Sequence, residues 1–204
     1  MWIQITSGQG PDECELAVTK FFEYLQNLVQ SAGSKIDVLE ISEGVKKGNL
    51  QSVLFSVPAE YSEIIKPFKG SILWKCISPY RPHHKRKNWF IETSVLEEPS
   101  ISTFNENDVK YETMRSSGPG GQHVNKTESG VRATHIPSGI STTAMEERSQ
   151  HNNKKLALAR LADKIAEANS NVLGEAKQSR WTKHLQIERG NPVATFSGPN
   201  FKLE

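Results

Sequence analysis

Three glycines and a proline surround one glutamine in the segment 115–127, RSSGPGGQHVNKT. Because Gly120 and Gly121 have no Cβ, the backbone there can adopt positive φ and another molecule can approach the main chain closely. The side-chain amide of Gln122 both donates and accepts hydrogen bonds, and its backbone N–H is a further donor. The pattern therefore predicts a bare loop tip that presents Gln122 and its main chain to a second molecule.

This segment is similar to the catalytic Gly-Gly-Gln loop of the class I bacterial peptide chain release factors. The similarity continues through 130–140 (GVRATHIPSGI), 147–154 (ERSQHNNK) and 190–193 (GNPV), so it covers most of residues 108–204. Such an ordered set is far more specific than the three-residue motif alone. We expect the long N-terminal helical domain of the full-length factors to be absent, as in the short release factor H type, which the chain resembles most.

The resemblance implies hydrolysis of the ester that links a nascent peptide to tRNA, with Gly120, Gly121 and Gln122 as catalytic residues. The backbone N–H of Gln122 would donate to an oxygen that gains negative charge, an interaction worth about 3 kcal/mol. Its amide would orient the attacking water. Nothing in the local sequence pairs with His123 as a general base, and the resemblance implies that ribosomal RNA supplies the rest of the active site. It also implies N-methylation of Gln122 by a glutamine methyltransferase.

Residues around this loop are candidates for contacts with RNA, because cations hold phosphates and hydroxyl or amide groups make weaker contacts. The candidates are Arg115, Ser116, Ser117, Asn125, Lys126, Arg132, Arg148 and His151. For Asn125, bracing the loop by hydrogen bonds to its backbone is an equal alternative. For the charged residues the alternative is an ordinary solvated surface.

A second candidate site is the segment 78–89, where two prolines and a basic cluster mark a loop between two predicted strands. Its tyrosine and histidines are able to stack on bases. The candidate decoding-loop residues are Ser78, Pro79, Tyr80, Arg81, Lys85, Arg86 and Lys87.

By position, the Ser-Pro-Tyr triplet resembles the Ser-Pro-Phe element of the release factor that reads UGA and UAA. The resemblance ends at residues 85–88, which are Lys-Arg-Lys-Asn where the family has Arg-Arg-His-Thr. The missing His and Thr help to read the second and third codon bases in that family. We therefore expect a loop that docks on mRNA or small-subunit rRNA without ordinary codon reading, with a solvated basic hairpin as the alternative.

The elements that must position these loops predict an α+β fold with two domains. Strands are expected at 2–6, 36–41, 50–57, 71–77 and 89–95, with a helix after Pro11 whose apolar face recurs from Ala17 to Leu28. Further on, the pattern predicts short strands at 131–135 and 140–143, a helix from Ser149 to about Ala168, and a second helix over 174–188.

The predicted domain boundaries follow from these elements and from the resemblance. Residues 1–98 resemble the mixed α/β middle domain that enters the decoding site, and 99–108 is a polar linker. Residues 109–190 resemble the Gly-Gly-Gln domain, with a small sheet and a long helix. Residues 191–204 resemble the strand that returns to complete the first domain.

Charge and composition narrow the class of partner. Residues 109–190 carry 13 Lys/Arg against 8 Asp/Glu, whereas the rest of the chain carries 12 against 15. A basic half suits a polyanion such as RNA.

No apolar run approaches the length of about 20 residues that spans a membrane, and the N-terminus lacks a signal-peptide pattern. Cys14 and Cys76 lie far apart, which favours reduced thiols in a cytoplasmic protein, and neither a metal nor a cofactor is expected.

Three functions remain open at this point. The first is hydrolysis of peptidyl-tRNA on stalled or damaged ribosomes without a stop codon; the second is codon-specific termination through the Ser-Pro-Tyr triplet. The third is a non-catalytic module that binds the ribosome or RNA. The expected partners of a monomer are the 70S ribosome through the rRNA of both subunits, P-site peptidyl-tRNA and mRNA.

Overall fold

The structure is a computed structural model that describes residues 1–115, 128–185 and 187–204, with the backbone alone described for 184 and 185. These residues form two compact units. The first unit contains Met1–Glu98 and Gln178–Glu204, and the second contains Pro99–Lys177. Each unit has its own hydrophobic core. No helix in the described part of the chain is long and apolar enough to cross a membrane.

Helices and strands are combined in a way that confirms the predicted α+β class. In chain order the described elements are β1 (Trp2–Thr6), α1 (Asp12–Ser31), β2 (Asp37–Glu43), β3 (Leu50–Ser56), α2 (Ser62–Ile65), β4 (Gly70–Lys75), β5 (Asn88–Leu96), β6 (Val109–Met114), β7 (Gly130–His135), β8 (Ser141–Ala144), α3 (Gln150–Leu185), β9 (Ala194–Ser197) and β10 (Lys202–Leu203).

The first unit is a seven-stranded sheet in the order β10-β9-β4-β5-β1-β3-β2, covered by α1. Neighbouring strands are antiparallel except for β4 and β9, which run parallel. α1 begins at Asp12 directly after Pro11, as the sequence predicts. Its apolar face buries Ala17, Phe21 and Leu25 completely. Burial of each of the two larger side chains stabilises the fold by about 1.5–3 kcal/mol.

The C-terminal tail is part of this sheet and of its core. β9 pairs with β4 in the register Ile72↔Ala194 to Lys75↔Ser197. Phe196 is fully buried, and its ring centroid lies 5.6 Å from that of Phe21. The last eleven residues therefore contribute both backbone pairing and apolar burial to the first unit.

The second unit is a three-stranded antiparallel sheet in the order β6-β7-β8, together with α3 as far as Lys177. Its core consists of small and aliphatic side chains from the strands and from one face of the helix: Val131, Ala133, Ala144, Ala157, Leu161 and Ile165. On the core-facing side of α3, Leu161 and Ile165 are buried, whereas Leu158 is only partly buried.

Three expectations differ from the structure. The two helices predicted around a break near Gly174 are one helix of 36 residues, because a single glycine costs only about 1 kcal/mol in a helix interior. β6 lies at the start of a segment for which no strand was expected. The second compact unit spans Pro99–Lys177 and thus includes the expected linker, while residues 178–190 belong to the first unit.

Candidate functional site

The connection between β4 and β5, residues 76–87, is anchored at its base. The backbone N–H of Cys76 donates to the carbonyl of Lys87 at 2.8 Å, which extends the strand ladder by one pair. The indole Nε1 of the buried Trp89 donates to the Cys76 carbonyl at 2.9 Å. The candidate decoding-loop residues therefore leave the sheet from a well-bonded base.

Ser78 lies inside the protein rather than at the tip of this loop. Its residue is 1% exposed, and its hydroxyl donates to Oε1 of Glu13 at 2.5 Å. The same oxygen accepts from the backbone N–H groups of Tyr80 at 3.2 Å and Arg81 at 2.8 Å. A serine hydroxyl has one proton and two lone pairs, so all the hydrogen-bonding capacity of Ser78 is used within the chain.

Glu13 on α1 is the partner that holds the loop. Its side chain has no exposure to solvent. Arg81 donates to it twice, from Nε to Oε1 at 2.8 Å and from Nη2 to Oε2 at 2.6 Å. Burial alone would raise the pKa of Glu13, but the hydrogen bonds from Arg81 and Ser78 outweigh burial and hold the pKa below its ordinary value. The buried carboxylate is thus fully compensated by the loop.

Tyr80 is half-buried against the β2–β3 connection. Its hydroxyl donates to Oδ1 of Asn49 at 2.9 Å, and Nδ2 of Asn49 donates to the carbonyl of Asp12 at 3.1 Å. The ammonium of Lys46 lies 4.8 Å from the centre of the Tyr80 ring, a cation–π contact. The ring predicted to stack on bases is therefore engaged by the protein itself.

In the basic part of the loop, one side chain is bonded within the protein and others are exposed to solvent. Arg86 donates from Nε to the carbonyl of Asn88 at 2.8 Å, and its guanidinium lies 4.9 Å from the Trp89 ring. Pro79, Lys85 and Lys87 are exposed. Of the seven candidate decoding-loop residues, the two exposed lysines offer positive charge to a polyanion such as RNA.

A groove of about 800 Å³ lies beside the loop in the first unit. Its lining is mainly apolar, with Ile77 and Pro79 from the loop. Three lysines also line it, Lys20, Lys75 and Lys87. Its lining contains no acidic residue among those that the structure describes, but Lys75 is paired with Glu204 at 2.7 Å. Lys20 and Lys87 therefore provide the positive charge that suits RNA.

In the second unit, the segment with the Gly-Gly-Gln motif connects β6 to β7. Ser116, Ser117, Gly120, Gly121, Gln122, Asn125 and Lys126 lie outside the described residues. At the base of this connection Met114 pairs with Gly130, and a Cβ on Gly130 would lie 2.9 Å from the Met114 carbonyl oxygen. Arg115 and Glu128 form an exposed ion pair at 4.0 Å. The two strands thus meet closely where the motif-bearing segment leaves the sheet.

Asn153, in the first turns of α3, braces this base and was not predicted as a site residue. It is completely buried, and its Nδ2 donates to the carbonyls of Ser129 and Glu147, each at 2.8 Å. Its Oδ1 accepts from the backbone N–H of Glu147 at 3.0 Å. One amide therefore links the residue before β7 to the segment that leads into α3. A polar residue at a core-facing helix position is the sequence signal that could reveal it.

The remaining candidates for RNA contacts lie at separate positions in the second unit. Arg132, on β7, is exposed and donates from Nη2 to Oγ of Ser141 at 3.1 Å. Arg148 is exposed before α3. His151 is exposed in the first turn and lines a cavity of about 330 Å³.

Two lysines share this cavity with His151. They are Lys154 and Lys155, and the ammonium of Lys154 lies 4.2 Å from the centre of the Tyr111 ring. Positive charges near a helix N-terminus oppose its dipole, and the first turn of α3 contains no acidic residue. The cavity combines an aromatic ring with cations, as do many surfaces that bind nucleic acid, and one acidic residue, Glu106, also lines it.

Both thiols are free. Burial raises the pKa of the Cys14 thiol to about 11, so this thiol stays protonated and unreactive at neutral pH. Within the described part of the chain, no group of three or more His, Cys, Asp or Glu residues has an arrangement that could hold a metal ion.

Comparison with known proteins identifies similar chains. Residues 97–196 match the family model of the RF-1 domain. The chain is 44% identical to a peptide chain release factor homolog of Escherichia coli, with 98% of this chain and 97% of that protein aligned. It is 34% identical to peptide chain release factor 2 of Neisseria meningitidis over 96% of this chain and 54% of that protein. The chain thus spans about half the length of this second relative.

Among solved structures, RF2 of Thermus thermophilus is similar to this chain with a TM-score of 0.45 and 27% sequence identity. The aligned region covers 96% of this chain and 57% of that one.

Proposed function

The chain belongs to the class I peptide chain release factor family, and we propose that it hydrolyses peptidyl-tRNA on the ribosome without reading a stop codon. In this proposal Gly120, Gly121 and Gln122 act in the peptidyl transferase centre, and the β4–β5 loop docks near the decoding site. Ribosomes that are stalled or damaged are the proposed target. The rRNA of both subunits and P-site peptidyl-tRNA are the proposed partners.

The state of Ser78 is the observation that supports independence from the codon. Its hydroxyl donates to Glu13 and accepts two backbone N–H groups, and the residue is 1% exposed. Reading a base would require at least one of these bonds to break. Either the Glu13 carboxylate would lose a donor or a backbone N–H would lose its acceptor. A buried polar group left unpaired costs about 1–3 kcal/mol. The exposed Lys85 and Lys87 still offer charge to a backbone of any sequence.

The Asn153 brace supports a catalytic rather than a merely binding role for the segment between β6 and β7. A completely buried amide with three hydrogen bonds holds the base of that segment. Precise positioning of this kind matters for chemistry, where a displacement of about 1 Å can cost a hundredfold in rate. N-methylation of Gln122 is a further part of this proposal.

Peptide release from ribosomes with labelled peptidyl-tRNA tests the proposal. The A site would contain a stop codon, a sense codon or no codon, with the decoding-centre RNA intact or cleaved. We expect release that does not depend on a stop codon, and a loss of about a hundredfold or more with Gly121→Ala. Release only on stop codons would instead indicate codon-specific termination. Ribosome binding with no release by the unaltered protein would indicate a binding module.

A further inference from the structure

A small polar cavity of about 160 Å³ lies in the first unit, on the side of the loop occupied by Arg86. The turn after β1 lines it with Ser7, Gln9 and Gly10, and Arg189 lines it from the segment after α3. Only about 10–15 Å³ of such space holds a water molecule. The cavity is therefore large enough for a small tetrahedral anion.

The residues that line the cavity carry positive charge. Its lining contains two guanidinium groups and no acidic residue within the described part of the chain. Burial raises the pKa of the Cys14 thiol, which also lines the cavity, whereas the charges of Arg86 and Arg189 act to lower it. Both guanidinium groups thus lie within electrostatic reach of that thiol. The nearby Glu13 is already neutralised by Arg81.

Arg86 and Arg189 form no ion pair with a carboxylate among the described residues, and Arg132 and Arg148 share this state. The other four arginines each pair with a glutamate: Arg81, Arg115, Arg160 and Arg180. Arg86 is also held in place, since its Nε is bonded to the Asn88 carbonyl and its plane lies over Trp89. Its two terminal nitrogens have no hydrogen-bond partner within the part of the chain that the structure describes, so they are available as donors.

We propose that this cavity binds a phosphate group between the guanidinium groups of Arg86 and Arg189. A planar guanidinium matches the oxygen geometry of phosphate and forms paired, charge-assisted hydrogen bonds with it. The side-chain amide of Gln9 provides a neutral donor in the same lining. The phosphate can belong to an RNA backbone, to a phosphorylated RNA end or to free inorganic phosphate. The site does not depend on the proposed peptide release, because neither arginine lies near the Gly-Gly-Gln motif in sequence.

Binding of phosphate to the full chain tests this site. Inorganic phosphate would be titrated at constant ionic strength, followed by a 12-nucleotide RNA with either a 3′-hydroxyl or a 3′-phosphate. We expect Arg86→Gln and Arg189→Gln each to weaken binding at least tenfold. Lys69→Gln is the matched control, since it removes an exposed positive charge of the first unit that does not line the cavity. We expect it to leave the affinity within twofold of the unaltered protein.

The three ligands distinguish the source of the phosphate. Tighter binding of the 3′-phosphorylated RNA indicates an RNA end, equal binding of both RNAs indicates the backbone, and binding of inorganic phosphate alone indicates the free anion. Each of these results supports the site if both arginine variants weaken that binding at least tenfold. Because Arg86 also packs on Trp89, Arg189→Gln, at an exposed position, tests the cavity without that contact. Affinity that is absent, or unchanged in a folded Arg189→Gln variant, overturns the proposal.

Discussion

The Glu13 carboxylate and the Arg81 guanidinium form two parallel hydrogen bonds, at 2.8 Å from Nε to Oε1 and 2.6 Å from Nη2 to Oε2. They are 68 residues apart in sequence. This pair connects the first turn of α1 to the β4–β5 loop, and the carboxylate has no exposure while Arg81 is 47% exposed. The loop is therefore held by a fixed anion inside the fold.

Glu13→Gln should destabilise the first unit through this pair. The amide presents N–H groups where Arg81 and Ser78 also donate, so at least one donor loses its partner. With allowance for solvent around Arg81, we expect a loss of about 1–2 kcal/mol in the free energy of unfolding. Urea denaturation measures it. Glu23→Gln, an exposed position on the same helix, should change stability by less than about 0.5 kcal/mol.

The contribution of Glu13 to the stability of the fold should decrease in acid. Its pKa in the folded protein is lower than that of an unfolded glutamate, which is about 4.3. The stabilisation is therefore fully present above that value and is lost as the pH falls through the lower folded pKa. The difference in unfolding free energy between the original protein and Glu13→Gln should be constant from pH 5 to 7 and shrink below about pH 4. A difference that grows in acid would contradict this assignment.

Asn153→Ala should affect both stability and activity. The change removes the three hydrogen bonds that the Asn153 amide makes to the backbone of Ser129 and Glu147. We expect a loss of about 2–3 kcal/mol in unfolding free energy and, given the proposed function, a release rate lower by about tenfold to a hundredfold. Asn152→Ala changes an exposed neighbour and serves as the control in both assays. Full release by Asn153→Ala at a temperature where it is folded would exclude a positioning role.

Local patterns predicted the elements of the first unit well. Alternation of apolar and polar residues predicted β1 and β3 to within one residue of their observed ends. The helical spacing of apolar residues predicted the buried face of α1. β6 was missed although Val109 and Tyr111 alternate with exposed Lys110 and Glu112, because a polar strand acquires its stability from pairing with β7 rather than from its own composition.

The candidate sites were predictable only where local sequence determines them. Residue types located the β4–β5 loop and its basic cluster, which the structure places between two strands as expected. They did not reveal that Ser78 and Tyr80 are bonded to Glu13 and Asn49, since those partners lie 65 and 31 residues away. Such long-range hydrogen bonds depend on how α1 packs on the sheet. The residues near Ser78 and Tyr80 in the sequence do not indicate which distant partners they will have.

Gly174→Ala distinguishes one continuous helix from two helices with a break. In α3 an added Cβ at this position has no heavy atom within 4 Å, and its φ is not positive. Alanine in a helix interior is more stable than glycine by about 0.8–1 kcal/mol, so the substitution should raise the free energy of unfolding by roughly that amount. Helix content by circular dichroism should stay equal or rise slightly. If residue 174 instead ended a helix with positive φ, alanine would be strained there and the variant would unfold more easily than the original protein.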